Sequence, residues 1–276
     1  MSLAPHLLEN SRNGYKMGNF QVVDSMIKDG LWDPYYNFHM GNAAEICVKK
    51  YNFTREEQDE YAIRSYKRAL DAIEKGYFND EIVKVEIPQK RGEVLFFEKD
   101  EEPFKAKLDK IPTLKPAFEK EGTITAANAS SINDGASALL LASSKKVSEL
   151  NLKPMAKVLA YSTHAQDPQW FTTAPVYAIQ KVCEKANLKI DDIDLFEINE
   201  AFSAVTMAAI KELSLDIDKV NIHGGAVSLG HPIGASGARI LTTLLYALRL
   251  KNKKYGLATL CIGGGEAVAL IAENLQ

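Results

Sequence analysis

The chain has 276 residues, 46% of them apolar and 25% charged, and a formal net charge of −3. These globular values exclude a disordered or collagen-like chain, and the near-neutral balance gives no electrostatic case for nucleic acid or an anionic membrane as partner. A chain this long buries about three quarters of its extended surface and needs no disulfide or metal staple. Its three scattered cysteines, Cys47, Cys183 and Cys261, accordingly fit a reducing cytoplasm better than a disulfide framework or a zinc site. No apolar stretch, the run 138–142 included, is long enough to span a bilayer. Residues 1–8 contain a proline and a histidine and no basic region, so they do not read as a signal peptide.

The length suggests about two domains. The first part of the chain is rich in Gly, Asn and Met and carries no period. Residues 54–75 read as a helix: Thr54 and Glu57 form a capping box, Gly76 closes the end, and Ala62, Tyr66, Ala69 and Ile73 make one apolar stripe. A strand is expected at 82–87 and a solvated polar loop at 98–110. Residues 123–127 then read as a strand, 128–134 as a polar turn and 135–150 as a helix. Ala136, Ala138, Leu139, Leu140, Leu141 and Ala142 make that helix apolar nearly all round, which places it between two layers. From Ala156 onward the elements alternate: strand 156–163, helix 175–187, strand 195–198, helix 201–213, strand 220–221, a Gly-rich turn, helix 236–250, and strands 257–261 and 267–272. The last two form a hairpin across Gly263, Gly264 and Gly265. Such alternation with short links means an α/β layer.

Three strand ends carry groups capable of chemistry. Cys261 ends an apolar strand and faces the three glycines, whose backbone N–H groups can approach a ligand closely. His231 lies in a Gly-rich turn, and Pro232 holds it extended; a neutral imidazole there is a ready base. No Gly-Lys-Ser/Thr follows, so the glycines are not a phosphate loop. Asn199 sits at another strand-to-helix junction, where a plain N-cap is the ordinary reading. In a parallel sheet these ends share one edge, so an amide, an imidazole and a thiol meet in one pocket. Cys183 and Cys47 lie on helical stripes and read as packing residues, and His39, His164 and His223 have no partner suggested by spacing.

Gly230-His231-Pro232-Ile233-Gly234-Ala235-Ser236-Gly237-Ala238-Arg239 resembles the histidine signature of the thiolase family. Gly256-Leu257-Ala258-Thr259-Leu260-Cys261-Ile262-Gly263-Gly264-Gly265 resembles its C-terminal cysteine signature, and Asn199-Glu200-Ala201-Phe202 its asparagine motif. Ala127-Asn128-Ala129-Ser130, followed by Asn133-Asp134-Gly135, is similar to a further family motif. The resemblance covers the whole chain and is nearest to the acetoacetyl-CoA branch. It implies a thiolase-like layered α/β fold, with a loop domain at 1–132, a helix at 133–153 that packs in the N-terminal half, and the C-terminal α/β half at 154–276.

The resemblance also implies a chemistry. One cysteine takes an acyl group as a thioester, and a second, by position Cys261, exchanges a proton with the α-carbon of acetyl-CoA. His231 would activate the nucleophile and help hold one oxyanion, Asn199 would fix the water completing that hole, and the Gly263 N–H would serve the other. A lowered thiolate pKa is expected, supplied by a nearby imidazolium. Ser130, Phe118, Phe202 and His6 match positions lining the pantetheine channel. The implied reaction condenses two acetyl-CoA to acetoacetyl-CoA and CoA, or reverses it, with coenzyme A thioesters as substrates, no cofactor and no metal. The family's nucleophilic cysteine lies upstream of the motif that Ala4-Pro5-His6 resembles. The chain is therefore expected to lack the N-terminal half with that cysteine and to be inactive alone, working as a homo-oligomer or with a separate chain supplying that half. The alternative is a non-catalytic module that binds coenzyme A or a partner subunit.

Overall fold

The computed structural model describes residues 1–90 and 92–276. Two small hairpins come first: β1 (His6–Leu8) pairs with β2 (Val22–Asp24), and β3 (Trp32–Asp33) with β4 (Phe38–His39). Helices α1 (Met40–Tyr51) and α2 (Arg55–Glu74) follow. The expected capping box is present on α2, and Ala62, Tyr66 and Ala69 of its stripe are buried. A third hairpin joins β5 (Val85–Pro88), near the strand expected at 82–87, to β6 (Val94–Phe97), which has no counterpart among the expected strands. The polar stretch after it holds the short helix α3 (Glu102–Lys105).

Two expectations fail between residues 123 and 150. Residues 123–127 form no strand. The Glu45 carboxylate accepts from the Thr123 and Ile124 N–H groups, both at 2.9 Å, and Asn128 Oδ1 accepts from Thr125 N–H at 2.8 Å. Side-chain acceptors have taken the donors that a ladder would use. The helix expected at 135–150 is reduced to α4 (Ser144–Glu149). Its apolar part forms neither helix nor strand, and Leu140 and Leu141 are 93% and 78% exposed. Helix nucleation is unfavourable unless a face packs, and no leucine of this run joins a core cluster among the described residues.

From β7 (Ala156–Ala165) onward the chain follows the expected order through α5 (Ala174–Ala186), β8 (Leu195–Ile198) and α6 (Ser203–Leu213). The expected Gly-rich turn contains a short helix, α7 (Ala226–Leu229), and the expected order resumes with α8 (Ser236–Leu250), β9 (Tyr255–Ile262) and β10 (Glu266–Asn274). The four-stranded sheet has the order β7-β10-β9-β8. Only β8 and β9 are parallel, because the three-glycine turn folds β10 back antiparallel between β9 and β7. The short strand expected at 220–221 is an isolated bridge from Val220 to Phe196, ended where Asn221 turns to φ +46°.

Period-two alternation divides the sheet between two layers. Phe196, Ile198, Leu257 and Ile271 pack with Ile179 and Val182 of α5, whereas Leu195 and Ala258 pack with Ile240, Leu244 and Leu248 of α8. The sheet is thus buried on both faces, and Leu257 is fully enclosed. Leu257→Ala is expected to destabilise the chain by about 2–5 kcal/mol, read as a lowered denaturation midpoint with an unchanged slope.

Candidate active site

Parallel pairing of β8 with β9 sets Ile198 opposite Thr259. Asn199 continues past that register and donates its N–H to the Thr259 carbonyl at 3.0 Å. Cys261 stands two residues further along β9, on the same sheet edge and on the same side of its strand as Leu257. Asn199 does not cap α6, whose N-cap is Phe202. Its side-chain Oδ1 is buried without a partner among the described residues.

His231 reaches this edge from a loop, not from a strand end. The chain leaves α7 at Gly230, where φ is +94° and a Cβ would collide with the Asn133 side chain. The His231 N–H then donates to the Ser131 carbonyl at 2.9 Å. The imidazole is held at both nitrogens: Nε2 lies 3.4 Å from Asn199 Nδ2, and Nδ1 lies 2.6 Å from Ser236 Oγ. The expected meeting of amide and imidazole is therefore direct. After Cys261 the turn glycines Gly264 and Gly265 both have φ of +91°, and Gly265 passes so close to the Gln166 carbonyl that a Cβ would overlap it. Met40 packs beside Gly263.

A buried carboxylate braces both ends of this arrangement. Glu200 follows Asn199 and accepts from Tyr61 Oη at 2.8 Å, Ser65 Oγ at 2.7 Å, Asn221 Nδ2 at 2.8 Å and Val227 N–H at 3.1 Å. It fastens α2 to the β8 exit and to α7, the element that delivers His231.

Of the residues expected along the pantetheine channel, Phe118 and Phe202 meet edge to face with centroids 5.9 Å apart. Phe118 also stacks on His39 at 4.9 Å, and both phenylalanines pack against the apolar cluster that contains Cys47 and Cys261. Ser130 lies beside them, donating its hydroxyl to the Ala201 carbonyl at 3.0 Å. His6 is exposed on β1, outside this cluster.

The electrostatics correct one expectation. Burial, reinforced by the Arg239 guanidinium, holds the His231 imidazole down at about 4. Burial pushes the Cys261 thiol up to about 12. The resting pair is thus a neutral imidazole and a protonated thiol, because the enclosed edge supplies no cation close enough to favour a thiolate. Cys47 and Cys183 are likewise raised by burial, each to about 11.

The sequence profile "Thiolase, N-terminal domain" matches residues 1–145, and "Thiolase, C-terminal domain" matches residues 152–274. The chain belongs to the thiolase family. It is 50% identical over 275 residues to an acetyl-CoA acetyltransferase of Chromobacterium violaceum, covering 99% of this chain and 70% of that relative. It is also 50% identical over 277 residues to a cytosolic acetyl-CoA acetyltransferase of Gibberella zeae, covering 100% and 70%. The crystal structure of the Bacillus anthracis acetyl-CoA acetyltransferase superposes with a TM-score of 0.94 at 44% identity, over 98% of this chain and 68% of that one. The Ascaris suum Acat5 thiolase in complex with coenzyme A gives 0.89 at 44%, over 99% and 69%. The chain spans 66% to 70% of the length of such curated relatives.

The match over residues 1–145 corrects the expectation of an absent N-terminal half. That expectation rested on one missing cysteine motif, whereas the profile match extends over all of the region read as loop domain and most of the helix read at 133–153. The expected inactivity, and the expected lack of an acyl-accepting cysteine, rested on the same premise and lose their footing with it.

Several residues around the candidate site escaped the sequence reading. Ser236 stands five residues after His231 inside the quoted motif, a spacing that no helix or strand period marks. Glu200 was visible only as an acid next to Asn199, and its partners Tyr61, Ser65 and Asn221 are remote in sequence. His39, given no partner by spacing, accepts from the Gly41 N–H at 3.0 Å at the start of α1 and stacks on Phe118.

Two outcomes follow. Glu200→Ala leaves several buried donors unpaired, at about 1–3 kcal/mol each, so denaturant titration is expected to show a loss of several kcal/mol. Burial also holds His223 at about 4, against an ordinary 6.5. With His223 and His231 both depressed, the unfolded chain gains protons that the native chain refuses as pH falls through 6.5. Their contribution is complete above that pH and lost toward pH 4, by up to about 1.4 kcal/mol per pH unit for each. His223→Gln is expected to flatten the decline of the denaturation midpoint between pH 7 and pH 5.

Proposed function

We propose that the chain is an acetyl-CoA acetyltransferase, condensing two acetyl-CoA to acetoacetyl-CoA and free coenzyme A and catalysing the reverse thiolysis. The observation that carries this reading is the convergence of Asn199, His231 and Cys261 at one sheet edge beside the Gly263 turn. Support comes from the named activity of relatives 50% identical to the chain and from the coenzyme A complex of a structure 44% identical to it.

In the condensation, one acetyl group is held as a thioester while a second acetyl-CoA enters. Formation of that thioester expels a coenzyme A thiolate, which takes the Cys261 proton and leaves as free coenzyme A; the Cys261 thiolate so formed removes a proton from the second molecule's methyl carbon. The resulting carbanion attacks the held thioester carbonyl, and the thiol that held it departs. A thiol raised to about 12 has a strongly basic thiolate, suited to a weakly acidic C–H. His231 activates the acyl-accepting thiol through its neutral imidazole and, with a water fixed by Asn199 Oδ1, stabilises one oxyanion; the Gly263 N–H serves the other. Ser130, Phe118 and Phe202 line the pantetheine channel. The working form is a cytosolic homo-oligomer with no cofactor beyond its coenzyme A substrates.

Thiolysis of acetoacetyl-CoA, followed at the enolate absorbance, tests this reading. Cys261→Ala and His231→Ala are each expected to lose at least about 10²–10⁴ in rate. Cys261→Ala should still accept acetyl from acetyl-CoA, His231→Ala should not, and peptide mapping of the acetylated protein identifies the carrier thiol. Coenzyme A binding without turnover would favour the non-catalytic binding module.

A further inference from the structure

We propose that Ser236 is a positioning residue that holds His231 in the Nδ1–H tautomer, so that the Nε2 lone pair faces Asn199 and the candidate site. Ser236 opens α8 and is fully buried. Its Oγ lies 3.0 Å from the Pro232 carbonyl and 2.6 Å from His231 Nδ1. A hydroxyl has one proton, and a carbonyl can only accept. With that proton directed to Pro232, Oγ meets Nδ1 as an acceptor, and Nδ1 must carry a hydrogen.

The opposite side of the ring supplies an independent constraint. Asn199 Nδ2 can only donate, and it stands 3.4 Å from Nε2. In the other tautomer two donors would face each other across that gap. Both sides of the imidazole therefore select the same proton position, and the one that leaves the base lone pair at the sheet edge.

The local sequence explains why the serine is placed to do this. Pro232 blocks helix at His231, and the chain then turns so that the Pro232 carbonyl accepts from the Ala235 and Ser236 N–H groups at 2.7 and 2.9 Å. The Ser236 hydroxyl closes onto the same carbonyl. One oxygen thus anchors the turn, the start of α8 and the side chain that meets His231. Enclosure of the serine keeps solvent from competing for Nδ1.

The tautomer rests on this geometry alone; its kinetic consequence rests on the acetyltransferase reading. Long-range proton–nitrogen correlation spectra of the ¹⁵N-labelled full chain at neutral pH report the tautomer directly, with the His231 signals identified by their loss in His231→Gln. The wild type is expected to show Nδ1–H. Ser236→Ala is expected to mix or reverse the tautomer and to lower kcat for thiolysis about 10–100-fold with little change in KM. Ser236→Thr, which keeps the hydroxyl, should restore both. A wild-type spectrum showing Nε2–H, or a folded Ser236→Ala that keeps Nδ1–H, overturns the proposal. If Ser236→Ala does not fold, the wild-type spectrum decides alone. A wild type with the expected tautomer but no turnover overturns the acetyltransferase reading and leaves the positioning role of Ser236 standing.

Discussion

The candidate site depends on one buried carboxylate. Among the described residues Glu200 has no cation in hydrogen-bond contact, yet it is enclosed, and an enclosed carboxylate is tolerated only when donors satisfy its oxygens. Four groups do so: two hydroxyls from α2, the Asn221 amide and the first turn of α7. Each brings a different segment to the end of β8. Gly225 is required at this crossing because a Cβ would run into the carboxylate. From that point α7 leads to Gly230 and then to His231. The position of the imidazole is thus set by a residue that does not touch it.

A second consequence concerns charge. The site edge is enclosed by Phe202, Phe171, Met40 and α1, which raises the energy of any isolated ion there. The imidazole and the thiol accordingly rest neutral. Arg239, whose charge acts on His231, lies 3.8 Å from the buried Glu197 carboxylate, while two of its nitrogens have no hydrogen-bond partner among the described residues. Its positive charge opposes protonation of His231 and reinforces the effect of burial. A neutral base and a thiol whose conjugate base is strong form a coherent pair, since each charge arises only in the course of proton transfer.

The order of elements from residue 156 onward was legible because periodicity and short Gly-rich links set it locally. The contact of Asn199 with His231 was legible in part: Asn199 sits at the strand end expected, whereas His231 reaches it from a loop held by the remote Ser131 carbonyl. The run 135–150 was misread because an all-round apolar pattern predicts what must be covered, not that a cover is present. Residues 123–127 were misread because Glu45, far upstream, supplies the acceptors. The N-terminal reading erred in kind: it weighed a single absent motif above similarity spread through 145 matched residues. Glu200 and Ser236 stayed silent because their roles depend on hydrogen-bond geometry, which no spacing encodes.

These two silent residues share a physical logic. Each is polar, buried and satisfied by groups that hold chain direction: carbonyls, hydroxyls and helix starts. Neither contributes a full charge of opposite sign to a catalytic group. A site organised this way owes its imidazole tautomer and orientation to short contacts, which vanish over a few tenths of an ångström, whereas Coulombic attraction weakens gradually with distance. Small shifts of the α7 turn or of the α8 start would therefore disturb His231 more than would a change in surface charge. Two opposing anchors, Ser236 at Nδ1 and Asn199 at Nε2, fix the ring against such shifts, and the buried Glu200 fixes the β8 exit that carries Asn199 and the α7 turn that leads to His231.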